Sequence, residues 1–242
     1  NDDVNEEWLS DKGRFQVDGL TKRRLDRPYV RRDGKLVPAS WDEAFAAVAS
    51  VNPGKSVAVI AGDMVDCETM FAARALAGAL GSSLLEGRQT GLAYDCSNLA
   101  AVNFNSTLSG IETADAILIV GSHVRWEAPL LNARLRKAAK NGAKVFVVGP
   151  EWDATYPVSN LGNDLAVLNK LPKDADEAFK AAQRPALIIG GAGLGKGGLE
   201  PSLALAEKYN LVRDGWNGFN ALHMAASRMG GLMLGYAQPG GI

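Results

Sequence analysis

The run Gly190-Gly191-Ala192-Gly193-Leu194-Gly195-Lys196-Gly197 comes within one residue of a phosphate-binding P-loop. That chemistry requires G-x-x-x-x-G-K followed by Ser or Thr. Glycine amides wrap the phosphates, the lysine neutralises them, and the hydroxyl holds magnesium. Gly190, Gly195 and Lys196 supply most of the pattern, but Gly197 stands where the hydroxyl belongs. Pro201 is expected to delay the following helix, which takes Lys196 off its first turn. Two readings stay open: a plain strand-to-helix connection, and a weaker anion site near Lys196 at that helix end.

A second candidate is Gly121-Ser122-His123-Val124-Arg125-Trp126-Glu127, placed after an apolar strand and before a helix. In an open α/β sheet, polar residues at the carboxyl end of a strand can contact a ligand. His123 could serve as base or ligand there. The chain has two histidines, and His223 is expected on a helix, so a histidine-based metal site lacks partners. Asp63, Asp66, Glu68 and Asp95 are scattered carboxylates, of which Asp66 reads as a helix cap. Cys96 could be a nucleophile, but no partner is identifiable, and it reads as a small buried or half-buried thiol. These residue types alone define no reaction.

The elements that must position them follow from patterning. Ser40-Trp41-Asp42-Glu43 is a capping box, with Trp41, Ala44, Phe45 and Val48 on one helical face. Residues 56–61 form a short apolar strand. Asp66 caps a helix to Leu80, with Met70, Ala73, Ala77 and Leu80 inward and Gly81 as its stop. Residues 116–121 are a strand apolar throughout, hence buried on both faces. Pro129 opens a helix whose residues Leu131, Leu135 and Ala138 face inward. Arg134, Arg136, Lys137 and Lys140 lie toward its end, where positive charge is favoured. Strands at 144–148 and 186–189 flank a helix starting near Asp174, with Ala175, Ala178, Phe179 and Ala182 inward. Helices are expected near 97–103, 201–209 and 217–229, the last with Phe219, Leu222, Ala226 and Met229 as its core stripe.

The fold class is therefore α/β, with a doubly wound, mainly parallel sheet built from βαβ units. The expected division is an irregular lead-in at residues 1–39, with a hairpin at 30–37 around Asp33-Gly34, and an α/β domain at 40–242. With 242 residues and a net charge of −1, the chain can form a core without disulfides and shows no polyanion-binding face, so no nucleic-acid partner. Cys67 and Cys96 are the only cysteines, which fits a reducing compartment better than a disulfide scaffold or a zinc site. No apolar run approaches the length of a membrane span, so no direct membrane insertion is expected. The acidic start and the Gly240-Gly241-Ile242 finish read as a piece of a longer polypeptide, incomplete at its C-terminus.

Residues 4–15, the basic stretch to Arg31, and Ser40-Trp41-Asp42-Glu43-Ala44 resemble the start of the molybdopterin oxidoreductase module. Residues 114–150 resemble its strand, Gly-x-Asn-Pro loop, helix and strand. A closer resemblance is to the large iron–sulfur subunits of NADH:quinone oxidoreductase, respiratory complex I. It is carried by Asn5-Glu6-Glu7-Trp8, Ser10-Asp11-Lys12 and Asp18-Gly19-Leu20, then by Asn105-Ser106-Thr107, Arg125-Trp126-Glu127-Ala128-Pro129-Leu130 and Asn132-Ala133-Arg134.

Departures from the catalytic pattern bear on function. Ser10 stands where catalytic relatives carry the last cysteine ligand of an iron–sulfur cluster, and a serine oxygen is a poor substitute for thiolate. The loop 121–125 lacks Asn-Pro. The relatives' Asp-Pro-Arg is here Gly149-Pro150-Glu151, so the acidic nucleotide contact is gone and the arginine has become a carboxylate. The resemblance implies a frame whose pterin site, around His123, Arg125, Gly149 and Glu151, is dismantled. It implies no catalytic residue, no cofactor and no metal in this stretch. Iron–sulfur clusters belong to cysteine-rich sequence upstream in the full subunit. It also implies packing against other peripheral-arm subunits of complex I, on the cytoplasmic side of a bacterial inner membrane or the matrix side in mitochondria. The alternative is a working molybdopterin enzyme fragment, or a nucleotide-binding protein using residues 190–197.

Overall fold

A computed structural model describes residues 1–51, 57–88, 90, 92, 94, 96–238 and 241–242. Ser56, the expected start of a strand, and Asp95 lie outside the described residues. In chain order, helix α1 (Asp11–Phe15) and strands β1 (Tyr29–Arg32) and β2 (Lys35–Pro38) precede helix α2 (Trp41–Ser50). A βαβ unit follows: β3 (Ala58–Ile60), α3 (Cys67–Ala79) and β4 (Leu84–Glu86). The main body comprises β5 (Ala116–Val120), α4 (Val124–Glu127), α5 (Pro129–Lys140), β6 (Lys144–Val148), β7 (Ser159–Asn160) and α6 (Lys173–Ala181). It continues through β8 (Pro185–Ile189), α7 (Gly191–Gly195), α8 (Leu199–Lys208), β9 (Val212–Arg213), β10 (Trp216–Asn217), β11 (Phe219–Ala221) and α9 (Arg228–Met233).

The central sheet has the order β11-β8-β5-β6-β7, and every pairing in it is parallel. From β5 the chain builds outward through β6 and β7, then returns to the other side of β5 for β8 and β11. The winding reverses between β5 and β8, where an α/β sheet opens its ligand crevice. All five residues of β5 are buried because both faces of the strand are covered. Ala116, Leu118 and Val120 pack with Ala175 and Phe179 of α6 and Leu205 of α8. Ile117 and Ile119 point to the opposite face, with Leu131 and Leu135 of α5. At the strand's start the Asp115 carboxylate accepts from the Gln183 and Arg184 amides at 2.7 and 2.9 Å, which fixes β8 beside β5.

Local signals explain the helix starts. Ser40 and Glu43 make both bonds of the capping box, Asp66 accepts from the Thr69 amide at 2.7 Å, and Pro129 occupies the first turn of α5. The turn between β1 and β2 places Asp33 and Gly34 at φ 48° and 77°, the left-handed pair that a tight hairpin requires.

Several expectations are corrected. Residues 217–229 are not a helix: Phe219–Ala221 pairs with β8 as the sheet's edge strand. The stripe Phe219, Leu222, Ala226, Met229 fits helical spacing, but pairing with β8 as its second neighbour satisfies the backbone and buries Phe219 and Ala221. His223 therefore sits in the loop after β11. Pro201 does not delay α8, which starts at Leu199, because a proline in a first turn removes only an amide without an intrahelical partner. Residues 191–195 form a short helix rather than an open loop. The apolar face of α2 is not core: Trp41, Phe45 and Val48 are 62–69% exposed. Leu80 is likewise exposed, whereas Met70 and Ala77 of α3 are buried. Near 97–103 only a 3-10 turn, Leu99–Ala101, forms.

Two buried polar contacts give testable consequences. Asn220 is fully buried; its Oδ1 accepts from the Ser106 amide at 2.8 Å and its Nδ2 donates to Ser106 Oγ at 2.9 Å. Asn220→Leu leaves the buried Ser106 amide without its acceptor. It is expected to lower unfolding free energy by about 2–3 kcal/mol in urea titrations. The Asp176 carboxylate accepts from Lys180 at 2.5 Å, Tyr209 at 2.6 Å and Lys208 at 3.0 Å. Lys180 first, then Tyr209 and Lys208, hold it far below the ordinary carboxylate range. A carboxylate depressed on folding contributes stability above its unfolded pKa, and that contribution disappears as pH falls through the folded value. Asp176→Asn should lower the urea midpoint at neutral pH, and the gap to wild type should close on strong acidification.

Candidate functional site

The crevice between β5 and β8 is bounded by three loops that the strands deliver together: 121–123, 149–153 and 190–198. The first two polar groups past β5 are satisfied by the chain itself. Ser122 Oγ donates to Glu127 Oε2 at 2.6 Å and the His123 amide donates to Glu127 Oε1 at 3.2 Å. Glu127 thus folds back over the start of α4, where an anionic ligand would otherwise find an amide. The His123 ring lies 4.8 Å from both Trp126 and Trp152, centroid to centroid. Its Nδ1 is buried without a hydrogen-bond partner in the protein. Arg125 turns outward, donating to the Asp153 carbonyl and carboxylate at 2.9 and 2.8 Å. The Thr155 amide, and after it Arg125, lower the Asp153 pKa.

Opposite lies the glycine-rich run. A Cβ on Gly121 would fall 2.1 Å from the Gly193 nitrogen, one on Gly190 would fall 2.5 Å from Ser122 Cβ, and one on Gly193 would fall 2.9 Å from the Val120 carbonyl. Backbone rests on backbone across the switch point, and the space is filled by the chain. The later amides of the run are bonded internally. Leu194 N donates to Gly190 O at 3.0 Å, Gly197 N to Leu194 O at 3.3 Å and Gly198 N to Gly193 O at 2.8 Å. Lys196 is exposed and caps the carboxyl end of α7, where carbonyls rather than amides point outward. In the third loop the Gly149 amide donates to Gly162 O at 2.9 Å, and its carbonyl accepts from Asn160 Nδ2 at 3.1 Å. Glu151 is exposed and lines a shallow pocket of about 340 Å³ with Val147, Trp152, Val158 and Asn160.

The structure thus brings His123, Arg125, Gly149 and Glu151 to one end of the sheet, with Lys196 apart from them on a helix end. A pterin dinucleotide does not fit these residues. Glycine contacts leave no room for side chains between the loops, Glu127 takes the Ser122 hydroxyl and the His123 amide, and the carboxylate of Glu151 on the 149–153 loop would repel phosphate. Ser10 caps α1, accepting from the Gly13 amide at 3.1 Å. Residues 1–18 contain no cysteine or histidine, so this stretch offers none of the ligands an iron–sulfur cluster takes. Among the described residues no group of three or more His, Cys, Asp or Glu could hold a metal ion.

Sequence reasoning named Glu127 within the 121–127 run but not its bonds to Ser122 and His123, and it missed Trp152, which packs against the His123 ring. The spacing of Glu127 to the helix start was the available signal. His223 lies away from this crevice, its Nε2 donating to the Val102 carbonyl at 2.5 Å, and burial pushes its pKa down. Asp63 pairs with Arg228 at 3.1 Å, and Cys67 is exposed while Cys96 is half-buried.

The glycine contact is testable. Gly121→Ala should destabilise by about 2–4 kcal/mol, combining the left-handed φ with overpacking against Gly193. Gly191→Ala, whose Cβ meets nothing within 4 Å, should leave the denaturation midpoint nearly unchanged.

Comparison with known proteins places this geometry. The molybdopterin oxidoreductase family model matches residues 24–242, and the NADH-ubiquinone oxidoreductase NDSU1/NuoG-like 4Fe-4S domain matches residues 1–18. The chain is 42% identical over 248 residues to the G subunit of NADH-quinone oxidoreductase from Rickettsia prowazekii (strain Madrid E), covering 98% of this chain and 37% of that protein. It is 39% identical to the mitochondrial 78 kDa subunit of NADH-ubiquinone oxidoreductase of Neurospora crassa, covering 99% and 34%. To the mitochondrial NADH dehydrogenase (ubiquinone) iron-sulfur protein 1 of Solanum tuberosum it is 36% identical, covering 97% and 34%. The chain spans little more than a third of the length of these curated relatives. With the match running from residue 24 to residue 242, across the helix α2, the βαβ unit and the whole parallel sheet, the chain belongs to the molybdopterin oxidoreductase family.

Proposed function

We propose that this chain is a non-catalytic architectural part of the large iron–sulfur subunit of an NADH:quinone oxidoreductase. The closed switch point carries this reading. The fold keeps the strands and loops of a ligand-binding module, yet Gly121, Gly190 and Gly193 fill the place of the ligand with backbone. His123, Arg125, Gly149 and Glu151 are then the remnant of a pterin site, with no residue of the chain acting in catalysis. We read the sheet as doubly wound, because the strand order reverses at β5 and apolar clusters cover both of its faces. We divide the chain into a lead-in at residues 1–39 and an α/β domain at 40–242, the lead-in containing the 1–18 match and the first part of the 24–242 match.

The names of the similar proteins support the assignment to the oxidoreductase. In the full subunit, electrons travel from NADH toward quinone through clusters held by cysteines upstream, and this domain packs beside them. Its partners are other subunits of the peripheral arm, on the cytoplasmic side of a bacterial inner membrane or the mitochondrial matrix side. Exposed Trp41, Phe45 and Val48 on α2, and Phe71 and Leu76 on α3, provide apolar area for such packing. Among the described residues no helix is long and apolar enough to cross a membrane. Nucleotide binding at residues 190–197 is disfavoured by Gly197 in place of the magnesium-binding hydroxyl and by the internally bonded amides of Leu194, Lys196 and Gly197.

The test is purification of the intact protein from its native membranes, with metal and pterin analysis. Copurification with NADH dehydrogenase activity, iron and sulfide without stoichiometric molybdenum or pterin, and no thermal shift with ATP and magnesium are the expected results. Molybdenum or pterin at one per chain, or a magnesium–ATP shift abolished by Lys196→Ala, would overturn the reading.

A further inference from the structure

Two segments that carry the family resemblance, residues 5–8 and 132–134, meet in space, and none of the chemistry above uses them. Arg134 lies on the inward face of α5 with Leu131, Leu135 and Ala138, and is 5% exposed. Its guanidinium donates to Glu112 at 2.7 Å and lies 3.7 Å from Glu6. The second arm of its fork donates to the Asp2 carbonyl. Lys137, one turn later, binds Glu6 and lies 3.6 Å from Glu112. Two cations thus face two carboxylates, and the Lys137 contact, ahead of the two positive charges, draws the Glu6 pKa down. Glu6 itself is held at φ 51°, a conformation that side chains other than glycine rarely adopt unless surrounding contacts fix it.

This geometry joins different parts of the molecule. Asp2 and Glu6 belong to the stretch matched by the 4Fe-4S domain model. Glu112 stands in the 3-10 turn Gly110–Thr113 leading into the central strand, and Arg134 stands on the helix covering that strand. We propose that Arg134 is a positioning residue: it acts through Glu6 and the Asp2 carbonyl to fix how the iron–sulfur-type segment sits on the α/β domain. Its planar fork can hold the Glu112 carboxylate and a backbone carbonyl at once, which a lysine ammonium at the same place cannot match. Lifting the segment away would leave a buried guanidinium with one of its partners, a costly state. The segment is therefore held more firmly than its exposed apolar side chains would hold it. The inference rests on the proposed function for what the segment is attached to, but the latch itself does not depend on it.

The experiment is amide hydrogen exchange on the whole 242-residue chain, comparing wild type with Arg134→Met, Arg134→Lys and Glu6→Gln. The readouts are the amides of Val4, Asn5 and Trp8, which bond back to carbonyls of residues 1 and 5, against those of β5, β6 and β8. Arg134→Met should speed exchange in the segment by about tenfold with the sheet unchanged, since a local opening is being released. Glu6→Gln should act in the same direction, Arg134→Lys should recover part of the protection, and Glu6→Gln combined with Arg134→Met should add little to Arg134→Met alone. Unchanged exchange in the segment, equal acceleration across the sheet, or additive effects of the two substitutions would overturn the proposal. Molybdenum in the intact protein would sink the proposed function and leave this result standing.

Discussion

Backbone packed against backbone between Gly121 and Gly193 constrains everything at the carboxyl end of the sheet. Parallel pairing brings β5 and β8 side by side, and the chain must leave both strands at the same level. Two such exits ordinarily splay apart, and the gap between them is where a ligand's phosphate meets helix amides. Here the exits converge. That is possible only without side chains, since a Cβ at Gly121 would overlap a main-chain nitrogen. Once the gap is closed, the amides of residues 194–198 have no outside partner to face and bond within their own turn. Glu127 takes over the exposed amide of His123 in the same way. A closed crevice and a set of self-satisfied donors are two consequences of one contact.

Glycine richness is therefore ambiguous in a sequence. It marks a loop that wraps an anion or a place where two main chains touch, and the residues are the same in both cases. Amide direction and helix boundaries separate the two, and neither is written in composition. The elements buried on both faces were legible, because β5, β8 and all of β6 after Lys144 are apolar. Helix starts at Ser40, Asp66 and Pro129 were legible from capping chemistry, which is local. Residues 217–229 were misread because apolar residues spaced three and four apart match a helix, while the strand Phe219–Ala221 owes its existence to β8, far away in sequence. The apolar face of α2 was legible as a face, but that it lies exposed was not, since local spacing does not say what covers it. The grouping of His123 and Arg125 with Gly149 and Glu151 was suggested only through resemblance, since the two pairs lie far apart in sequence.

The polar residues that carry the resemblance turn out to hold the frame together. Asn105 donates to the Phe219 carbonyl at 2.6 Å, and Ser106 and Asn220 bond reciprocally, which pins the edge strand β11. Asn132, buried on α5, accepts from Tyr156 at 3.0 Å. Arg125 ties the loop after β5 to Asp153. Buried or half-buried polar groups of this kind are expensive to misplace, because each loses its hydrogen bond if the neighbouring element shifts.

A protein that binds a small ligand keeps some polar groups unpaired and aimed at a common point, then shields them with apolar walls. In this chain the arrangement is reversed. Ser122, the His123 amide and Arg125 are paired within the chain, and large apolar side chains, Trp41, Phe45, Phe71 and Trp126 among them, face outward. Outward apolar area gains free energy only when another surface covers it. The exposed apolar faces of α2 and α3 are therefore the surfaces of this fold that gain most from being covered. Arg134 extends the same logic inward: its charge is placed where it binds one segment of the chain to another.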